Sequence, residues 1–176
     1  MKKTGTSNVV LVDEEDNELG TMEKLQAHQE GRLHRAFSVV IFNDQNEMLI
    51  HRRAKDKYHC EGLWTNACCS HPRFNESSKE AALRRLQEEM GFTTPIHYFD
   101  SFIYKTTFDN GLTEHELDHV FVGRYSNVPK PNPEEVEDFK YINIDLLKKD
   151  IQNHPENYTV WFKKIIKDYL NELIKL

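Results

Sequence analysis

A chain of 176 residues, 38% apolar and 30% charged, has the length and composition of one compact domain. Its 29 acidic and 23 basic residues give a net charge of -6, which argues against nucleic acid as the main partner. Three cysteines do not make a disulfide framework, the amino-terminal residues do not resemble a secretory signal, and no apolar run approaches the roughly 20 residues that span a bilayer. We therefore expect a cytoplasmic protein that contacts no membrane and is a monomer or, alternatively, a dimer.

The first half of the chain predicts mostly strands. The segment "NVVLVDEEDNELG" indicates a short strand that runs into a polar turn. The next segment, "TMEKLQAHQEGRLH", is typical of a helical or irregular stretch that Gly31 breaks. Two β-rich runs, residues 36–42 and 47–51, flank a turn-forming segment and predict a hairpin.

The second half contains the clearest helix, residues 77–91. Ser77 and Glu80 have the spacing of a capping box, and Gly91 is placed for a left-handed helix end. Two strands, "IHYFDSFIYKTTF" and "LTEHELDHVFVGRY", follow around the turn "DNG", and "NVPKPNPEEVED" predicts a proline-rich loop. Residues 157–174 predict a closing amphipathic helix. Together these elements predict a single α+β domain in which strands surround one central helix.

Paired charges on the central helix admit two interpretations. Each of its two arginines precedes a glutamate by four residues, so i, i+4 ion pairs on a solvated face are the simpler interpretation. The pairs are Arg84 with Glu88 and Arg85 with Glu89. Together with Glu76, however, the run "RRLQEEMGF" resembles the Nudix box, a loop-helix-loop that holds a divalent cation against a diphosphate.

Two positions depart from the usual form of this box. Ser70 stands where the box begins with glycine, and Arg85 stands where the arginine of the box is followed by glutamate. A Nudix pyrophosphohydrolase is expected to need that glutamate. The departure therefore argues against hydrolysis while keeping a site for a metal and carboxylates.

Most of the chain, from about Leu11 to Trp161, resembles the type I isopentenyl diphosphate isomerases of the Nudix superfamily. The resemblance rests on "KLQAHQEGRLHRAFS", "HRRAKDKY", "LWTNACCSHP" and "TEHELDHVF", which occur in the expected order. It implies one isomerase domain over residues 1–176, with a Nudix-like core at about 34–147 and terminal elaborations. The implied fold is a Nudix-like α/β/α sandwich with a mixed sheet packed against helices. The implied reaction interconverts isopentenyl and dimethylallyl diphosphate through a tertiary carbocation, in isoprenoid biosynthesis.

Candidate metal ligands come from separate segments. Glu114 and Glu116 lie two residues apart, which puts both carboxylates on one face of a strand, a pattern equally typical of an exposed polar face. The convergence of the histidines cannot be deduced from their spacing. The resemblance implies that one divalent cation is held by His28, His34, His71, Glu114 and Glu116. This mixture of nitrogen and oxygen ligands is compatible with Mn2+, Mg2+ or Zn2+.

The resemblance also implies which residues bind the diphosphate. Glu89 would help to hold a Mg2+ ion that arrives with the substrate diphosphate, an oxygen-rich ligand that suits this cation. The basic residues that match the family's phosphate contacts are Lys24, Arg53, Lys57 and Arg85. Arginine binds phosphate oxygens through a planar fork and lysine as a mobile charge, although each residue on its own is more typical of a solvated surface base.

Two tryptophans are candidates for the wall of the substrate cavity. Trp161 matches the family's aromatic residue that faces the carbocation, because a ring face stabilises positive charge. Taken alone, Trp161 is equally typical of a core aromatic residue. Trp64 precedes the cysteine motif and is a second candidate, although its surroundings in the sequence favour a core position.

The adjacent cysteines of "WTNACCSHP" admit several roles. A vicinal disulfide and a structural zinc site are weak interpretations, and a cysteine nucleophile would need contacts that the spacing does not establish. The residues alone favour buried small hydrophobes for Cys60 and Cys68. The resemblance implies that Cys69 and Glu116 are the acid/base pair, with Tyr104 beside Glu116. A protonated thiol can enter an apolar pocket and deliver a proton there.

Two alternative functions are compatible with the same residues. A Nudix hydrolase would cleave a diphosphate bond, and it predicts the release of phosphate or of a monophosphate product. A non-enzymatic Nudix-fold module would bind a diphosphate without turnover. The module predicts binding with no change in the proton spectrum of the ligand.

Overall fold

The computed structural model describes residues 7–57 and 59–176. Residues 1–6, which belong to the segment that argues against a secretory signal, and Tyr58, which ends the motif "HRRAKDKY", lie outside the described residues. The strands are β1 (Asn8–Val12), β2 (Glu18–Glu23), β3 (His34–Phe42), β4 (Met48–Arg53), β5 (Trp64–Thr65), β6 (Cys68–Ser70), β7 (Ile96–Thr107), β8 (Thr113–Arg124) and β9 (Val136–Ile142). The helices are α1 (Lys24–Glu30), α2 (Ser78–Met90), α3 (Ile144–Asn153) and α4 (Val160–Leu173), and a 3-10 turn covers Pro155–Asn157. Among the helices of the described part of the chain, none has the length and apolarity to cross a membrane.

Strand β3 is the centre of a mixed sheet. It runs parallel to β8 along its whole length, from His34 opposite Glu116 to Phe42 opposite Arg124. It is also antiparallel to β1 and β6, and β7 extends the sheet beyond β8. Because β6 and β8 both pair with β3, segments that are far apart in sequence become neighbours.

The hairpin predicted for residues 36–51 is only partly an antiparallel pair. The turn at 43–46 joins β3 to β4, but the two strands share a single partner pair, Phe42 and Met48. Beyond that pair β4 diverges and pairs with β5 and β9 instead. Strand β6 therefore takes the place beside β3 that a continued hairpin would give to β4.

The central strand β3 is buried on both of its faces. Phe37, Val39 and Ile41 pack in the core that includes α2, whereas Val40 and Phe42 pack in the core that includes α3 and α4. This alternation follows from the two-residue period of a strand that is covered by helices on both faces. The predicted α+β class, an α/β/α sandwich with a mixed sheet packed against helices, is confirmed.

Helix α2 confirms the predicted helix at both ends. The Ser77 hydroxyl accepts a hydrogen bond from the backbone N–H of Glu80, and the Glu80 carboxylate accepts one from the backbone N–H of Ser77, which completes the capping box. Gly91 ends the helix with a φ of 73°. A Cβ atom at Gly91 would collide with the carbonyl oxygen of Lys130, so only glycine fits there.

Several elements were not predicted. The loop expected at 127–138 is wrong at its end, because Val136 begins β9, which pairs with β4. Strand β2 pairs with β1. It occupies residues for which the sequence predicts the end of a polar turn and the start of a helical or irregular stretch. Helix α3 follows Asn143, whose side-chain oxygen accepts hydrogen bonds from the backbone N–H groups of Asp145 and Leu146. That N-cap was a readable signal in the sequence.

Candidate active site

A cleft lies beside β3 and is lined by side chains from both halves of the chain. Its lining comes from α1, α2 and α4, from strands β3, β4, β6 and β8, and from the connecting loops. Most of the residues predicted for the site line this cleft, whereas His28, His34 and Tyr104 are not part of the described lining. The predicted polar and charged residues that line it are Lys24, Arg53, Lys57, Cys69, His71, Arg85, Glu89, Glu114 and Glu116. An acidic chain thus gathers four basic side chains at one place.

Four of the five predicted ligands of the His/Glu metal site converge. The ligand atoms of His28, His34, His71 and Glu116 all lie within 4.8 Å of one another. Oε1 of Glu116 lies 2.8 Å from Nε2 of His71 and 3.3 Å from Nε2 of His34. The sheet explains this convergence. His34 and Glu116 are register partners across β3 and β8, and His71 follows β6, which also pairs with β3.

Burial and mutual contact give His28, His71 and Glu116 the protonation states that bind metals. Desolvation, reinforced by the neighbouring His34, lowers the pKa of His28 to about 2. Desolvation also lowers the pKa of His71 to about 4, although Glu116 opposes the shift. Burial raises the pKa of Glu116, but His71 and His34 outweigh it and hold that pKa well below its usual range. Imidazole nitrogen with a free lone pair and an ionised carboxylate are the forms that bind a divalent cation, so these residues fit one.

Glu114, the fifth predicted ligand, lies beside this cluster, but its carboxylate contacts other partners. Its Oε1 lies 2.9 Å from Nε2 of His59, and its Oε2 accepts a 3.0 Å hydrogen bond from the Tyr104 hydroxyl. The same hydroxyl also donates to Oε2 of Glu116 at 2.6 Å, so its one proton is shared between the two carboxylates and the shorter hydrogen bond is to Glu116. Tyr104 therefore links the two carboxylates and lies beside Glu116, where the resemblance implies it. His59 was not among the candidate residues, because it lies outside the motifs and outside the repeating patterns of the predicted strands and helices.

Cys69 is the cysteine of the adjacent pair that lines the cleft. It is half-buried on β6, and its Sγ lies 3.9 Å from Nη1 of Arg53. Burial raises the pKa of Cys69 to about 12, although Arg53 opposes the shift, so the thiol is protonated at neutral pH. Cys68 is fully buried in the core against α2. It faces away from Cys69 because successive side chains of a strand point to opposite faces. Cys60, like these two, carries a free thiol.

The two ion pairs predicted along α2 both form, and their surroundings differ. Arg84 pairs with Glu88 at 3.3 Å and with Glu76 at 2.6 Å. Arg85 pairs with Glu89 at 2.5 Å, and Glu89 is only 5% exposed. The pair of Arg84 and Glu88 is a surface contact, as expected for ion pairs on a solvated helix face. The second lies in the cleft, where a charge is available to a ligand.

Glu135 joins two of the predicted phosphate-binding residues. Its Oε1 lies 3.3 Å from Nη2 of Arg85, and its Oε2 forms a close ion pair with Nζ of Lys57. Arg85 belongs to α2 and Lys57 to the loop after β4, so one carboxylate holds cations from two elements together. Glu135 lies in the segment that predicts a proline-rich loop, where no pattern in the sequence marks it.

The two tryptophans have different surroundings. Trp161 lines the cleft, is 4% exposed, and has the guanidinium carbon of Arg53 at 5.4 Å from its ring centroid. Trp64 is not part of the described lining, and its ring lies against Arg52 and Lys140, at 5.8 and 4.5 Å. The hypothesis that Trp64 lines the cavity is therefore wrong. Trp64 is the cross-strand partner of Arg52 and packs against the core cluster that contains Trp161.

Asp118 is a further acidic residue of the cleft that the sequence analysis missed. It follows Glu114 and Glu116 on the same face of β8, and its Oδ2 accepts a 2.7 Å hydrogen bond from the Ser38 hydroxyl. Burial, together with the charge of Glu116, raises the pKa of Asp118 well above its usual range. The two-residue period that indicated Glu114 and Glu116 continues to Asp118, so the signal was present in the sequence.

Comparison with known proteins shows which family this chain belongs to. Residues 32–162 match the family model of the NUDIX domain. The protein named isopentenyl-diphosphate Delta-isomerase 2 of Photorhabdus laumondii is 51% identical over 158 residues, which cover 90% of this chain and 89% of that protein. The isopentenyl-diphosphate Delta-isomerase of Serratia proteamaculans is 46% identical over 160 residues, which cover 91% of this chain and 89% of that protein.

Solved structures with a similar fold are more distant in sequence. The protein DR0079 of Deinococcus radiodurans superposes with a TM-score of 0.76 at 16% identity and covers 93% of this chain and 99% of its own. A MutT protein from Methanosarcina mazei Go1 superposes with a TM-score of 0.63 at 19% identity and covers 80% of this chain and 94% of its own. At these identities the likeness concerns the fold alone.

Proposed function

The chain belongs to the NUDIX family and, within it, to the isopentenyl-diphosphate Delta-isomerases, and from that membership we propose that its cleft interconverts isopentenyl diphosphate and dimethylallyl diphosphate. The observation that carries the proposal is the pair Cys69 and Glu116. Both line one cleft, the first as a neutral thiol and the second as an ionised carboxylate. A double-bond shift adds one proton and removes another, so it needs a donor and an acceptor that are both ready at neutral pH.

The proton transfers balance with these two groups. The thiol of Cys69 gives its proton to the terminal alkene carbon, whose π electrons form the new C–H bond and leave the positive charge on the tertiary carbon. Glu116 takes a proton from the methylene carbon nearer the diphosphate, and the electrons of that C–H bond form the new double bond. Tyr104 donates a hydrogen bond to Glu116 and fixes the direction of its carboxylate. In the reverse direction the two groups exchange roles.

The metal-binding residues prepare the carboxylate for this role. His28, His34, His71 and Glu116 would hold one divalent cation, Mn2+, Mg2+ or Zn2+, with Glu114 as a further ligand. Glu89 would help to hold a Mg2+ ion that arrives with the diphosphate. When bound, these cations supply positive charge that neutralises the diphosphate and restrains the carboxylates. Glu116 therefore serves both as a metal ligand and as a proton acceptor.

The remaining cleft residues would bind the two ends of the substrate. The diphosphate oxygens would contact Lys24, Arg53, Lys57 and Arg85, all of which line the cleft. Trp161 would present its ring to the carbocation, because the negative face of an aromatic ring stabilises a cation without adding a buried anion. Burial of this end also excludes water, which would otherwise trap the carbocation as an alcohol.

A Nudix hydrolase is the second candidate function, and the carboxylates Glu88 and Glu89 on α2 favour it. Arg85 argues against it, since a guanidinium group occupies the position of the box glutamate and pairs with Glu89 at 2.5 Å. A positive group at that position suits the binding of a diphosphate. It cannot act as the carboxylate that a hydrolase of this family is expected to need.

Proton NMR spectra of the purified protein with isopentenyl diphosphate and Mg2+, recorded beside a phosphate-release assay, test the function. We expect the terminal alkene resonances of isopentenyl diphosphate to give way to the two methyl resonances of dimethylallyl diphosphate, without release of phosphate. Released phosphate or a monophosphate product would contradict the isomerase and support the hydrolase. An unchanged spectrum from a folded, metal-loaded protein would contradict turnover and support the binding module.

A further inference from the structure

We infer that His59 is a positioning residue of the metal site, whose imidazole holds the Glu114 carboxylate in place beside the His/Glu cluster. The inference rests on the proposed metal binding by that cluster. Neither the motifs of the chain nor its family resemblance gives His59 a role. The contacts of its ring supply one.

His59 contacts Glu114 directly, and both side chains are buried. Its Nε2 lies 2.9 Å from Oε1 of Glu114, and the two side chains are 6% and 3% exposed. This distance is that of a direct polar contact between an imidazole nitrogen and a carboxylate oxygen. In a buried environment such a contact is electrostatically stronger than the same contact in water.

Glu114 is thereby held from two sides. Tyr104 donates to Oε2 at 3.0 Å, while His59 approaches Oε1. The carboxylate cannot rotate about its terminal bond without losing one of these contacts. Each carboxylate oxygen has two acceptor sites, so one contact to each leaves lone pairs that can bind a cation.

The ring of His59 is itself fixed in orientation. It stacks on Phe108, which follows β7, with ring centroids 5.2 Å apart and planes inclined by 28°. Its centroid lies 5.4 Å from that of His28, one of the proposed metal ligands. The imidazole therefore lies between the end of a long strand and the cluster, and its plane is set before it meets Glu114.

The backbone of the segment that carries His59 is also attached to the cleft. Nε of Arg53 donates to the carbonyl oxygen of Cys60 at 3.1 Å, and Nη2 of Arg53 approaches the carbonyl oxygen of His59 at 3.4 Å. One guanidinium group thus holds the two consecutive peptide units that position the imidazole. Lys57 lies two residues earlier, so the same loop supplies a diphosphate contact and a support for the metal site.

Two substitutions separate the polar contact with Glu114 from the stacked ring. His59→Phe keeps an aromatic ring against Phe108 but has no N–H group for Glu114. His59→Gln keeps an N–H group at a similar reach but loses the ring. Because partners that orient metal ligands typically change metal affinity by about 10- to 100-fold, we expect His59→Phe to weaken Mn2+ binding about 10-fold and His59→Gln to retain most of it.

His119→Phe is the matched control. Nε2 of His119 lies 3.0 Å from Oδ2 of Asp16, a histidine–carboxylate contact of the same length, and the residue lies on β8 but on the opposite face from Glu114. We expect His119→Phe to bind Mn2+ as the wild-type protein does. His59→Asn provides a second test without an added aromatic ring, because its shorter amide cannot reach Glu114, and we expect it to behave like His59→Phe.

The measurement is calorimetric titration of the metal-stripped, full-length protein with Mn2+ alone, and thermal unfolding of the same samples establishes that each variant is folded. A 10-fold loss in His59→Phe and His59→Asn, with retention in His59→Gln and His119→Phe, supports the inference. Wild-type affinity in a folded His59→Phe or His59→Asn would overturn it, and so would equal losses in His59→Phe and His59→Gln. A wild-type protein that binds no Mn2+ would instead contradict the proposed metal site on which the inference rests.

Discussion

Strands β6 and β8 flank β3 and present Cys69 and Glu116 to the same cleft in opposite protonation states. Burial raises the pKa of both groups. Arg53, with Nη1 3.9 Å from Sγ, does not reverse this effect for Cys69, whose pKa is about 12. Two imidazoles within 3.3 Å do reverse it for Glu116. The comparison shows that the contacts of a buried group decide whether it is an acid or a base.

The largest expected effect comes from removing the proton donor, the thiol of Cys69. Cys69→Ala takes away the thiol but none of the clustered metal ligands. Because positioned general acids contribute about 100- to 10,000-fold to a rate, we expect isomerisation to become undetectable, with Mn2+ binding unchanged. NMR of the product and calorimetric metal titration on one sample measure both quantities. Cys60→Ala, the other half-buried cysteine, is the control, and near-normal turnover of Cys69→Ala would refute the proton-donor role.

The next largest effect comes from removing the proton acceptor, and it should extend to metal binding. Glu116→Gln removes the proton acceptor and also the carboxylate that contacts His34 and His71. We expect turnover to fall about 100-fold or more and Mn2+ affinity to fall with it. Glu137→Gln, which removes a carboxylate paired with Arg52 outside the cleft, should change neither quantity. An active Glu116→Gln protein that binds metal fully would exclude the double role.

A smaller effect is expected from the hydroxyl that supports the base. Tyr104→Phe removes the hydrogen bonds to Glu116 at 2.6 Å and to Glu114 at 3.0 Å but leaves the ring in place. A hydrogen bond to a charged group is worth about 1.5–3 kcal/mol, so we expect turnover to fall about 10- to 100-fold. Steady-state kinetics measure this, with the exposed Tyr98→Phe as control. Equal rates for the two variants would show that Tyr104 does not support Glu116.

The smallest expected difference concerns the protonation of Cys69 itself. An ordinary thiol has a pKa of about 8.5, and burial raises that of Cys69 to about 12. At a pH between about 8.5 and about 12, the folded protein should therefore keep the Cys69 thiol protonated, whereas the same thiol in the unfolded chain ionises. Alkylation of the Cys69 peptide, followed by mass spectrometry, should rise near pH 8.5 in the denatured protein and only at higher pH in the native one. A native rate that levels off near pH 8 would mean that Cys69 is a thiolate at working pH.

The parts of the molecule that were predicted from sequence depend on local signals. The capping box of Ser77 and Glu80, the glycine at position 91 and the i, i+4 ion pairs of α2 involve residues within one helix. The common face of Glu114 and Glu116 follows from the period of a strand. Asp118, the next residue of that period, and Asn143, the N-cap of α3, carry local signals of the same kind.

The parts that were not predicted depend on long-range pairing or on loops. His34 and Glu116 face each other only because β3 and β8 pair in one register, which no local pattern of the sequence determines. A strand period indicates that Cys68 and Cys69 point to opposite faces, but not which face borders the cleft. His59 and Glu135 lie in loops, where no period marks a side chain that meets a distant partner.

The central claim is that two different groups act at the two ends of the alkene unit, and deuterium placement in the first turnover tests it most directly. The protein is equilibrated in deuterated water, so that the Cys69 thiol carries deuterium, and is then mixed with a smaller amount of isopentenyl diphosphate and Mg2+. We predict that each molecule of dimethylallyl diphosphate formed contains one deuterium in a methyl group. Product without deuterium in its methyl groups would mean that a single group carried the same proton from one carbon to the other, which would contradict the account.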